Sequence, residues 1–132
     1  MTENDFKQRT KEIAIRVIKV VESLPKSLVG EVIGRQLLRS GTSIGANYRA
    51  ACRGKSTADV LHKLAIVEEE ADESMFWIEL LMEAEIVAEK KLSSLYADID
   101  EIVAMTVASI RTLKSKKQPI QNLKSKTQNS QI

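Results

Sequence analysis

The sequence predicts an all-α protein, an up-down-up-down antiparallel four-helix bundle. Three observations lead there. Only two prolines and five glycines interrupt 132 residues, and aromatic side chains are scarce at 4%. Apolar residues return at the helical period in four successive segments. The connections between those segments are short, which favours antiparallel neighbours. The length fits one domain, enough to bury a substantial core without disulfides or a structural metal. Helices are expected at about residues 5–24, 27–53, 57–87 and 92–116 within a bundle spanning 1–117.

In the first segment Asp5 serves as a candidate cap, Phe6, Ile13, Ala14, Val17, Val20, Val21 and Leu24 form the inward stripe, and Pro25 ends the helix. The second starts near Ser27 and runs to Gly54, read as a C-terminal cap. Ser56-Thr57-Ala58-Asp59 has capping-box spacing and opens the third. Its stripe is Val60, Leu61, Leu64, Val67, Ala71, Met75, Ile78 and Met82, with Glu68 and Glu85 intruding. A second apolar strip, Ile66, Trp77, Leu80 and Ala84, lies on its other side and is a candidate contact with another subunit. The alternative is that Trp77 and Phe76 cover the end of their own core. The fourth helix turns Leu92, Leu95, Ile99, Ile102, Val103, Thr106, Ile110 and Leu113 inward. Residues 118–132, polar and without apolar period, are expected to be disordered.

Residues 38–53 concentrate small, polar and basic side chains. On a helix, Ile33, Leu37, Ser40, Ile44, Asn47 and Ala51 share one face, and Arg35, Arg39, Thr42, Ala46, Arg49 and Arg53 the opposite one. Gly41 and Gly45 remove bulk and admit another helix backbone, at a propensity cost of about 1 kcal/mol per glycine. Ser40, Ser43 and Asn47 are assigned structural polar roles, with Asn47 buried.

Net charge is only +2, yet it is sorted along the chain: +1 over residues 1–33, +5 over 34–58, −10 over 59–101 and +6 over 102–132. Such blocks suit either solvated helix faces or oppositely charged surfaces in an oligomer. A single cysteine excludes an intramolecular disulfide, and the absence of a leader or of a long apolar run leads to the expectation of a soluble cytoplasmic protein with no membrane partner.

Chemistry has little to draw on. The one histidine, His62, follows Asp59 at the spacing used in di-iron bundles, but a single such motif cannot build that site. Cys52 has no residue that would orient a base toward it. Glu68, Glu69, Glu70, Asp72 and Glu73 diverge around a helix and cannot converge on one ion. Gly41-Thr42-Ser43-Ile44-Gly45 lacks the lysine of a P-loop. No enzyme, metal or cofactor is expected. What remains is a basic stripe, Arg35, Arg39, Arg49 and Arg53 with Lys55, and a basic end, Lys114, Lys116 and Lys117 beside Arg111. These can grip phosphates of RNA or DNA. Equally, they can pair with the acids of the third helix.

The segments Leu38-Arg39-Ser40, Thr42-Ser43-Ile44-Gly45-Ala46-Asn47-Tyr48-Arg49-Ala50, His62-Lys63-Leu64, Glu69-Glu70-Ala71-Asp72-Glu73 and Phe76-Trp77-Ile78-Glu79-Leu80-Leu81 together resemble a bacterial four-helix-bundle family. It is named for open reading frames within intervening sequences of 23S ribosomal RNA genes, and the likeness covers about residues 6–115. The resemblance implies a homopentameric barrel. A related branch, the accessory variability proteins of diversity-generating retroelements, uses a basic pentamer surface to engage a reverse transcriptase and nucleic acid; this chain differs in being nearly neutral. The expectation is a non-enzymatic oligomeric scaffold that holds RNA or DNA, with a reverse transcriptase or another protein as a candidate partner. The alternative is a purely structural or protein-binding oligomer.

Overall fold

The computed structural model describes residues 1–124, with side chains through 116. Four helices follow one another: α1 (Glu3–Glu22), α2 (Leu28–Cys52), α3 (Thr57–Glu83) and α4 (Glu89–Lys124). Each start has a local cause. Thr2, not Asp5, is the N-cap of α1: its hydroxyl accepts from the Asp5 N–H at 3.1 Å, and the Asp5 carboxylate accepts the Thr2 N–H at 3.0 Å. That reciprocal bond holds the Asp5 carboxyl below its usual range. Ser27 and Ser56 cap α2 and α3 in the same way, accepting from Gly30 and Asp59 N–H groups. The Asp59 carboxylate reaches back to the Lys55 N–H at 3.2 Å.

The ends differ more from the sequence reading. α3 stops at Ala84, short of residue 87, in a turn where the Ile86 N–H bonds the Leu81 carbonyl and the Glu85 N–H bonds that of Met82. This double bond closes a helix end around a left-handed residue, normally glycine. Glu85 occupies that position with φ 57, which costs about 1 kcal/mol. Its side chain is therefore exposed and off the core stripe. α4 continues to Lys124, beyond the expected end near 116, because lysine, glutamine and leucine sustain a helix there despite Pro119. The tail expected from 118 thus begins inside α4, and its remainder, 125–132, lies outside the described residues.

α2 packs on α1 and α3, α3 on α4, and α1 meets α4 along a narrower seam. Every pair is antiparallel, which the specific contacts record. Thr10 faces Gly45 and Leu24 faces Gly34, Ser40 meets Ser74, and Tyr96 donates to Glu79 at 2.6 Å, a bond that pushes the phenol up to about 12. Arg16 reaches Asp98 and Ser94, and Arg9 reaches Glu101. Ile13, Val17, Leu37, Ile44, Val67, Ile78, Leu81, Leu92, Ile99 and Ile102 meet at the centre, each at most 2% exposed. At about 2 kcal/mol per buried side chain of this size, their burial is the main favourable contribution to the fold.

Glycine sets how α1 lies on α2. A β-carbon on Gly41 would sit 2.8 Å from both Val17 methyl groups, and one on Gly45 3.2 Å from the Thr10 hydroxyl. At the turn before α2, a β-carbon on Gly30 would come 2.2 Å from the Pro25 carbonyl oxygen. The bulk that Gly41 and Gly45 give up admits α1. No helix among the described residues is long and apolar enough to cross a membrane.

Candidate anion-binding groove

The basic face of α2 divides into two halves with different surroundings. In the first, the carboxylates of α3 come within reach. Arg39 donates to both Glu70 oxygens, at 3.1 and 3.2 Å, and to Glu73. Glu73 also accepts the Trp77 indole N–H at 3.0 Å. Arg39 first and Trp77 second hold the Glu73 carboxyl below its ordinary range, and Glu73 in turn raises the Arg39 guanidinium. Arg35 lies beside Glu31 at 3.4 Å, one turn away on its own helix, with both side chains largely in solvent.

In the second half the carboxylate that comes near is Glu3 of α1, beside Cys52. Arg49 and Arg53 form no ion pair among the described residues. They wall a groove of about 540 Å³ between the C-terminal half of α2 and the N-terminal half of α1, and Lys7 and Lys11 wall the other side. Its floor is made of Thr10, Ala14, Thr42, Gly45 and Ala46, and Asn4 and Gln8 complete the rim. Small floor residues are what give the groove its depth. No acidic residue lines it. Lys7 makes one loose contact, 3.7 Å to Glu3 one turn earlier, with the lysine half-buried and the glutamate exposed. Four cations around the amides of Asn4 and Gln8 make a site for an anion; the lining contains no histidine, cysteine or carboxylate to take up a proton at neutral pH.

The other residues singled out from the sequence are placed as follows. Lys55 is exposed in the α2–α3 connection, Lys114 is half-buried and Lys116 exposed on α4, away from this groove, and the Lys117 side chain lies outside the described residues. Ile66, Trp77 and Leu80 are half-buried and Ala84 is exposed. By the α2–α3 register, Trp77, Leu80 and Ala84 lie level with the first turns of α2, where Val29 and Val32 are 52% and 51% exposed. Phe76, 50% exposed, stacks edge-on against Trp77 at 5.1 Å. Ser40 is fully buried and accepts from the Ser74 hydroxyl at 2.9 Å. Ser43 and Asn47 bond carbonyls of their own helix, Arg39 at 2.7 Å and Ser43 at 2.9 Å, and Asn47 is half-buried, not buried as expected, because it stands at the flank of the core face with its amide turned back along α2 to the Ser43 carbonyl. Cys52 sits beside Tyr48, and burial, more than any neighbour, pushes its thiol up, which keeps it a poor nucleophile. His62 is exposed, and Asp59 turns its carboxylate to the backbone and away from any shared ligand role. Among the described residues no three His, Cys, Asp or Glu side chains cluster as metal ligands.

Lys7 and Lys11 escaped the sequence reading. The available signal was their spacing of four on the flank of α1 next to Ala14, but which neighbour that flank faces depends on the rotation of α1 against α2.

An all-α antiparallel bundle with a basic surface groove is the class of protein these features define. Over residues 2–108 the chain matches the family model of the 23S rRNA-intervening sequence protein. It belongs to that family. Among solved structures it is similar to a protein of unknown function from the S23 ribosomal protein family of Bacteroides thetaiotaomicron, with 37% identity and a TM-score of 0.74, over 84% of this chain and 99% of that one. No curated protein gives a significant match.

Proposed function

We propose that this protein is a non-enzymatic, self-associating scaffold that holds RNA or DNA by its phosphates, with the α1–α2 groove as the contact surface. The observation behind this reading is the acid-free pairing of Arg49 and Arg53 with Lys7 and Lys11 across one groove. Neutralising phosphates releases condensed counterions, so affinity contributed by such a site falls steeply with salt. Arg39, engaged by Glu70 and Glu73, acts in structure and not in binding. Self-association is supported by the exposed apolar side chains Phe76, Val29 and Val32, beside Trp77 and Leu80, which pack partly against the protein's own core. A pentamer would present five grooves, and repetition would turn a weak contact into a useful one.

The test is titration of a labelled mixed-sequence RNA and of DNA with the purified protein at several salt concentrations, alongside Arg49→Glu with Arg53→Glu. Light scattering on both proteins establishes that each assembles alike. A loss of at least tenfold in the double variant, about 1.4 kcal/mol, supports the reading. Absence of binding by the parent at low salt overturns it and leaves an oligomer that serves structure or protein contacts alone, for which the Arg39 network is the favouring observation.

A further inference from the structure

The arrangement of the four cations goes beyond a basic patch. α1 and α2 run antiparallel with Thr10 against Gly45. Moving toward the N-terminus of α1 therefore means moving toward the C-terminus of α2, which brings Lys7 level with Arg49. Arg53 lies one turn beyond that level and Lys11 one turn before it. With four residues between steps and 1.5 Å rise per residue, the levels are about 6 Å apart and the whole run is about 12 Å long. The charges thus stand on both walls of the seam, staggered over that length.

Resting on the nucleic-acid reading above, we infer that the α1–α2 groove is a track for a single nucleic-acid strand, which binds by its sugar-phosphate backbone between Arg49 and Arg53 on one wall and Lys7 and Lys11 on the other, and leaves its bases to solvent. Helices packed in this way have axes about 8–10 Å apart, so the cleft between them admits one chain. A duplex is a convex cylinder whose two phosphate rows flank a major groove about 12 Å wide. It would touch only the rim of the cleft. Grooves that follow one backbone with positive charge are the general means of binding single strands. No aromatic residue lines this one, so bases find no stacking platform there and sequence selectivity is weak. Ala46, small and exposed on the floor, leaves the space the backbone occupies.

The experiment compares fluorescent oligodeoxythymidine, oligouridine and a mixed-sequence duplex of equal length, each titrated into the full-length protein. Single strands of either sugar are expected to bind at least tenfold tighter than the duplex. Ala46→Leu, which fills the floor of the groove at an exposed helical position and keeps every charge, is expected to lose at least tenfold in single-strand affinity. Lys7→Gln with Lys11→Gln, at side chains outside the core, is expected to flatten the salt dependence by about 1.4 in the log–log slope for each groove engaged, at about 0.7 per phosphate contact on a single strand. Duplex binding equal to or tighter than single-strand binding overturns the inference, as does an unchanged salt slope in the Lys7 and Lys11 double variant; in both cases nucleic-acid binding itself survives. Failure of every probe to bind at low salt removes the parent reading as well.

Discussion

Along its α3 flank, α2 meets its neighbour through polar side chains: Arg39 between Glu70 and Glu73, and Ser40 against Ser74. Along its α1 flank it meets Val17 and Thr10 with glycines, and the arginines above that seam reach no carboxylate. One helix therefore has a flank whose charge is spent on holding the bundle and a flank whose charge is left for something else. What separates the arginines is the composition of the facing helix. α3 supplies carboxylates at two successive turns to Arg39, whereas Arg49 and Arg53 face Lys7 and Lys11 across their groove and form no ion pair among the described residues.

The sharpest way to break this contrast is to restore bulk on the glycine flank. Gly41→Val would press new methyl groups into Val17, both fully buried, and is expected to destabilise by about 3 kcal/mol in chemical denaturation. Retention of parental stability would mean that α1 is not seated on that glycine. On the other flank Arg39→Met should cost less, since the guanidinium is half exposed and solvent screens its pairs. The same variant should leave RNA affinity within about twofold of the parent, an outcome opposite to that for Arg49 and Arg53.

Acid sharpens the same comparison. The Glu73 carboxyl is depressed in the folded protein, chiefly by Arg39, so it binds protons more readily when unfolded. Its contribution is thus fully present above the unfolded carboxyl value of about 4.3 and is lost as pH falls through the lower folded value. Thermal melts of parent and Arg39→Met should differ at pH 7 and converge below about pH 4. A gap that persists to lower pH would assign the effect of Arg39 to the packing of its methylenes. The smallest effect is expected at Arg35→Gln: an exposed pair with Glu31 on one helix is worth about 0.3 kcal/mol, near the detection limit of a denaturation curve.

How far the sequence reveals this molecule depends on what periodicity can encode. The inward stripes, the starts at Ser27 and Ser56 and the close approach at Gly41 and Gly45 are all local patterns, and the structure has them. The stop of α3 was hidden because Glu85 takes a left-handed conformation without the glycine that usually announces one. Ser74 went unread because Met75 fits an apolar stripe as a side chain while Ser74 is the one fully buried. The division of the arginines was the least legible. A stripe on α2 is visible in one dimension, but whether it meets Glu70 or Lys7 depends on how two other helices are rotated and slid, and that is settled by packing across the bundle.

The Ser40–Ser74 contact bears on that slide. Both side chains are small and fully buried, and they form a level of the α2–α3 seam where small meets small, flanked by Leu37 and Ile44 on one helix and Ile78 on the other. Shift α3 by one turn and each serine faces a bulky aliphatic group or another level of the seam, leaving a void at one position and a collision at the next. The pair works as a notch that gives the two helices a single stop. Because Glu70 and Glu73 travel with Ser74, the same stop determines which arginine they reach. A contact between two hydroxyls, with no charge and no access to solvent, thereby draws the map of occupied and available charge on the outside of the molecule.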